Sequence, residues 1–218
     1  MAATLFGSAR SDERGKLSGG KAGDQTGHEV ETQPYYNHKK GWVGLRAKSV
    51  DLANGLAFCM AIACGNDNIG YDQGNRTAIM RDGICAAVKT ETDCSELVRA
   101  CLKQCDVNVA DFTTATEKKV LLATGLFDEV SIAKASDCYV GDILVTKTKG
   151  HTGIIVQGKA RNSASPKPVT PSGNCYVVKR GDALSKIARK LGVSVDYLAK
   201  KNNIKDVNKI SVGQKIYY

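Results

Sequence analysis

Asp93-Cys94-Ser95-Glu96-Leu97-Val98-Arg99-Ala100-Cys101-Leu102-Lys103-Gln104-Cys105 decides how the first part of this chain folds. Cys94, Leu97, Val98, Cys101, Leu102 and Cys105 recur at three- and four-residue steps, which places them on one face of a helix. Ser95, Glu96, Arg99, Lys103 and Gln104 fill the other face. Asp93 stands where a helix cap belongs and Glu96 can reach back to it, the Asp form of a capping box. The spacing therefore predicts an amphipathic helix that starts at Cys94 and lies on a core. A thiol in that first turn meets unpaired N–H groups and a partial positive charge, which favour the thiolate. Core packing at the end of an apolar stripe explains the same position equally well.

Working outward, Lys48 to Ala63 reads as a second helix, with Val50, Ala53, Ala57, Met60 and Ala61 at helical spacing. Downstream, Asp142–Thr146 and His151–Val156 read as two strands of a hairpin turning near Lys149-Gly150. His151, one of three histidines, thus begins a strand and is the natural partner for a thiol, as base and then as proton donor to a leaving amine. Residues 7–33 are polar and glycine-rich and read as an ordered loop, with a strand at 29–36. No Gly-Lys-Ser/Thr closes the run Gly20–Gly27, so it is not a phosphate-binding loop.

Between Gln157 and Asn174 the periodicity stops, and Pro166, Pro168 and Pro171 mark a semi-rigid linker at 158–174. The last segment, 175–218, reads strand, helix, helix, strand and carries +7 of the net charge of +9. Such a basic module suits a polyanionic surface or plain solubility. The longest apolar stretch, Leu52 to Cys64, is too short to span a bilayer, and residues 1–14 lack a secretion signal's pattern. Eight cysteines without a CxxC pair read as small buried apolar residues rather than as a disulfide or zinc framework. His28 and His38 have no zinc-protease spacing, so neither a metal nor another cofactor is expected.

Three motifs occur in order: Asp93-Cys94-Ser95-x-Leu97-Val98, Gly141-Asp142-Ile143-Leu144 and Gly150-His151-Thr152-Gly153-Ile154. Together they resemble the NlpC-type papain-fold peptidases of bacterial cell walls. Tyr71 resembles the aromatic residue that precedes the nucleophile there, and 20–30 with 70–76 resemble clostridial-type phage lysins. The segment Tyr176-Val-Val-Lys-Arg-Gly-Asp-Ala-Leu-Ser-Lys-Ile-Ala, with Asn202-Asn203-Ile204 and Ile210-Ser-Val-Gly213-Gln214, resembles a LysM module.

The resemblance implies an α+β chain: a papain-like cysteine hydrolase domain at 1–157, a helix packed on an antiparallel sheet, and a small βααβ LysM domain at 175–218. It implies Cys94 as nucleophile and His151 as base. The third group, which orients the imidazole, is open among Asn162, Gln157, Asp24 and Gln25. Gly181, Asp182, Ala183, Leu184, Asp206, Lys209 and Ile210 would line the glycan groove, with Ala183 replacing the Thr or Ser usual there. The implied partner is peptidoglycan, both its stem peptide and its N-acetylglucosamine-containing glycan, without nucleic acid or membrane insertion. The implied reaction is hydrolysis of an amide of the stem peptide, D-Glu to diamino acid. An N-acetylmuramoyl-L-alanine amidase or a non-catalytic wall-binding protein are the alternatives. The protein would be made in a host cytoplasm without a signal peptide and act on the wall.

Overall fold

A computed structural model describes residues 3–161, 175–191, 195, 198–199, 202 and 204–218. The chain divides into two units, Met1–Val169 and Thr170–Tyr218.

The first unit begins with strands β1 (Leu5–Ala9), β2 (Val30–Pro34) and β3 (Trp42–Ala47), then helix α1 (Val50–Ala63). Strand β4 (Ile69–Tyr71), helix α2 (Ala78–Asp82) and strand β5 (Thr90–Thr92) lead to α3 (Cys94–Gln104). Helix α4 (Glu117–Ala123) and strands β6 (Phe127–Ile132), β7 (Ile143–Thr146) and β8 (Thr152–Gln157) complete it. Six strands form one antiparallel sheet in the order β2-β1-β8-β7-β3-β6, and β4 pairs with β5 in parallel.

The apolar stripe of α3 does what its spacing demands. Leu97, Val98, Cys101 and Leu102 are fully buried against α1 and the sheet, in a core shared with Leu56, Met60, Leu45, Ile143 and Ile154. The opposite sheet face carries Phe6, Trp42, Leu144 and Ile155, with Tyr35 and Tyr36 packed on them. Period-2 alternation along β8 separates the two faces: Ile154 joins the helical side and Ile155 the aromatic side. Gly141, at φ +82°, has the backbone of Ala53 in α1 where a Cβ would sit, so only glycine lets the β7 start pass beneath that helix.

The first motif's helix, the hairpin and α1 thus stand as the periodicity predicts, and the chain is α+β with a helix-covered antiparallel sheet. Residues 7–9 correct the loop reading. They belong to β1, buried inside the sheet between β2 and β8. The first unit also continues past the expected end at 157. Lys159 bridges to Tyr139, and Arg161 donates to the carbonyl of Ala47. Residues 162–174, most of the expected linker, lie outside the described residues.

In the second unit, β9 (Cys175–Val177) pairs antiparallel with β10 (Lys215–Tyr217), and helix α5 (Leu184–Leu191) packs between them in sequence. Tyr176, Val178, Leu184, Ile187, Ala188, Leu198 and Ile216 form its buried interior. The second expected helix, 195–201, falls largely outside the described residues. No helix among the described residues is long and apolar enough to cross a membrane.

Candidate active site at the start of α3

Strand β5 leads directly to Cys94. Its parallel pairing sets Tyr71 beside Thr92, and Asp72 N donates to Thr92 O at 2.9 Å, so the chain leaves the small sheet directly into Asp93-Cys94. Asp93 caps α3 as predicted: its carboxylate accepts from Glu96 N at 2.7 Å and from Ser95 Oγ at 2.9 Å. Glu96 does not close the capping box. It turns to Arg76 at 3.0 Å and Arg99 at 2.6 Å. Arg76 also lies 3.6 Å from Asp93 and bonds Asp111 and the carbonyl of Phe112, pinning the loop before α2 and the loop after α3 to the helix start.

The Cys94 side chain is buried, and backbone N–H groups of Ser95 and Thr152 donate to its sulfur. Burial outweighs those donors and, with the nearby Asp93 and Glu117 carboxyls, pushes the thiol up to about 12. The helix terminus therefore does not leave a resting thiolate. Thr152 directly follows His151, but the imidazole packs on the aromatic side of the sheet against Phe6 and Trp42, and among the described residues no hydrogen bond joins it to Cys94 Sγ. Tyr71 is buried with its hydroxyl accepting from Gln73 Nε2 at 3.0 Å, and its phenol is raised by burial and by Cys94.

His151 is fixed by its hairpin. Its N–H donates to Thr146 Oγ1 at 2.9 Å, its carbonyl accepts from Thr146 N at 3.0 Å, and Gly150 N donates to Thr114 Oγ1 at 3.1 Å. The imidazole lies against Phe6 (ring centroids 6.0 Å) and Trp42 (6.3 Å), and Nε2 is 3.1 Å from Ser8 Oγ. Burial, with Arg10 and His38 adding positive charge, lowers it to about 4. At neutral pH Cys94 is therefore a neutral thiol and His151 a neutral imidazole.

Ser8 is the partner that the sequence reading missed. The strand beside β8 comes from the N-terminus, not from the residues after Gln157, and it brings Ser8 to the ring across 143 positions. Of the four residues considered, Gln157 donates to Ala3 O and Gln25 to Ala22 O and Gly23 O. Asp24 accepts from the N–H groups of Thr26, Gly27, Glu29 and Val30, and Asn162 lies outside the described residues.

Other motif residues are structural. Asp142 forms a two-pronged pair with Arg46 at 2.8 and 2.6 Å, and Arg46 stacks 4.2 Å from the Tyr139 ring centre. His28 pairs with Glu31 at 2.8 Å and His38 with Tyr36 and Trp42, so the two histidines serve different neighbours. Among the described residues no three His, Cys, Asp or Glu side chains are grouped to hold a metal. No disulfide joins any of the eight cysteines.

In the second unit, Gly181, Ala183, Asp206 and Lys209 are exposed and Ile210 is half-buried. Two residues of the expected groove have partners within their own unit. Leu184 has its side chain in the core, and Asp182 is occupied by Tyr176 Oη at 2.7 Å and Lys179 N at 2.8 Å.

The profile of a family described as endolysin-like domain matches residues 6–162, and that of the LysM domain matches 176–217. Among curated proteins, an endolysin of Bacillus phage B103 is 40% identical over 76 residues, covering 34% of this chain and 29% of its own length. An uncharacterized lipoprotein, YgeR, of Escherichia coli (strain K12) is 44% identical over 64 residues, 29% of this chain and 25% of that protein. The N-acetylmuramoyl-L-alanine amidase XlyA of Bacillus subtilis (strain 168) is 59% identical over 39 residues, 18% of this chain and 13% of that protein. The chain spans less than a third of each of these relatives, and no solved structure matches it.

Proposed function

Because the chain belongs to the endolysin-like domain family and carries a LysM domain behind it, we propose that it is a peptidoglycan hydrolase of the cysteine type. One observation supports this reading above the others: the Cys94 sulfur, at the capped start of α3, rests on the N–H of the residue that follows His151.

In this reading the first unit is a papain-like, NlpC-like domain whose orienting strand has moved to the N-terminus. His151 takes the Cys94 proton as the sulfur attacks the amide carbon of a stem peptide. The backbone N–H groups of Cys94 and Ser95 stabilise the oxyanion. The protonated imidazole then gives its proton to the leaving amine, and water hydrolyses the thioester. Ser8 holds the ring. A hydroxyl is neutral, so it orients the base without raising its basicity.

The bond assigned is D-Glu to diamino acid, and the LysM unit keeps the enzyme on the glycan, raising its local concentration on an insoluble polymer. Gly181, Ala183, Asp206, Lys209 and Ile210 would supply the sugar contacts. Mass spectrometry of digested peptidoglycan tests the bond. New amino groups on the diamino acid are expected. Free lactyl ends on muramic acid would instead establish the amidase named in one relative, whose 39-residue match is too short to carry that assignment.

A further inference from the structure

Glu117 opens α4 and is completely buried, yet among the described residues no positive charge offsets it: the ionisable groups that raise or face it are Asp93 and Cys94, from the start of α3. Strands β7 and β8 contribute only neutral groups to its surroundings, the Leu144 carbonyl and the Thr152 hydroxyl. Thr152 Oγ1 lies 2.8 Å from Glu117 Oε1 and 2.9 Å from Leu144 O. A hydroxyl has one hydrogen, and a carbonyl can only accept. If Thr152 donates to Leu144, the proton between Thr152 and Glu117 must come from the acid. The other oxygen of Glu117, Oε2, is buried without a partner. That is tolerable for the C=O of a neutral acid and very costly for a carboxylate.

We propose that Glu117 holds a proton in the resting protein and is a positioning residue for Cys94, locking Thr152 so that its N–H faces the sulfur. The chain of contacts runs Glu117 Oε1–H to Thr152 Oγ1, Thr152 Oγ1–H to Leu144 O, and Thr152 N–H to Cys94 Sγ. Burial raises the Glu117 carboxyl to about 8, with Asp93 pushing the same way, which agrees with this hydrogen-bond order. Once Glu117 ionises, a buried negative charge faces Cys94 and opposes the thiolate. The inference rests on reading Cys94 as the nucleophile, but its chemistry can be read without any hydrolysis.

The test follows the rate at which iodoacetamide alkylates Cys94 against pH, by peptide mass spectrometry, in wild type, E117Q and T152V. Glutamine reproduces a neutral acid, so E117Q should match wild type within about twofold up to pH ~7 and overtake it above pH ~8. In wild type the rise should flatten there. T152V should react several-fold more slowly throughout, having lost the lock. If E117Q reacts about tenfold faster than wild type already at pH ~6, the acid was ionised and the proposal falls. Should E117Q not fold, the wild-type profile decides: a rate rising tenfold per pH unit through pH ~9 overturns it. A protein that shows the expected profile and cuts no peptidoglycan refutes the proposed function and leaves this inference standing.

Discussion

At the scale of single residues, burial withholds charge from the candidate site. Cys94 and His151 are displaced in opposite directions by burial, one to about 12 and the other to about 4, so each is neutral at neutral pH; in the proposed mechanism the proton passes between them once substrate excludes water. A histidine lowered in this way stays a competent base in mild acid. The acid limb of kcat/KM should therefore fall well below the ordinary histidine value of 6.5, and a limb at or above 6.5 would mean the ring is solvated in the working enzyme. In the proposed mechanism Ser8 acts through His151, so Ser8→Ala should lower kcat about tenfold with KM nearly unchanged. Ser8→Thr, which keeps the hydroxyl, should recover most of it. A rise in KM alone would place Ser8 in substrate binding instead. The sequence could not show Ser8: a lone serine in a five-residue strand carries no signal, and its partner lies at the far end of the domain. Glu117 was equally hidden, since Thr-Glu-Lys-Lys reads as an exposed helix start.

Among the elements, α3 and the β7–β8 hairpin were legible because their apolar residues follow one period without interruption. Strand β1 was not. Leu5-Phe6-Gly7-Ser8-Ala9 has small residues where a pattern would show, because α1 lies so close that a Cβ on Gly7 would meet Met60. Asp142 belongs to this scale too. It ties β7 to β3 through Arg46, and the carboxylate is 1% exposed. Asp142→Asn leaves the guanidinium half of a buried pair and should cost about 3 kcal/mol in denaturant unfolding, with the Cys94 alkylation rate of the folded protein unchanged. A loss of reactivity without loss of stability would move Asp142 into the site.

For the molecule as a whole, the two units are built on different principles. The first stores buried acids around its helix starts; the second is a basic module with a small apolar interior. Glu117 and Glu91 keep protons to about 8 and about 7 in the folded state, against 4.5 when exposed. The folded form thus binds extra protons above pH 4.5, and that stability is lost as pH rises through the folded values. His151 acts in the opposite sense between 6.5 and about 4, where the unfolded chain binds the extra proton. Above pH 6.5 the glutamates act alone. The first unit should lose on the order of 2 kcal/mol between pH ~6.5 and ~8, and E117Q should lose distinctly less. Stability that is flat or rising over this range, followed by thermal unfolding, would mean these carboxyls are not buried as described. The proposed choice of peptidoglycan bond is written in neither unit's pattern, because a thiol and an imidazole would serve every amide alike. The most direct measurement of the central claim is turbidity loss of a purified cell-wall suspension with wild type and Cys94→Ala, paired with co-sedimentation of each. The predicted result is lysis by wild type alone with equal binding by both; lysis at the wild-type rate by Cys94→Ala would contradict it.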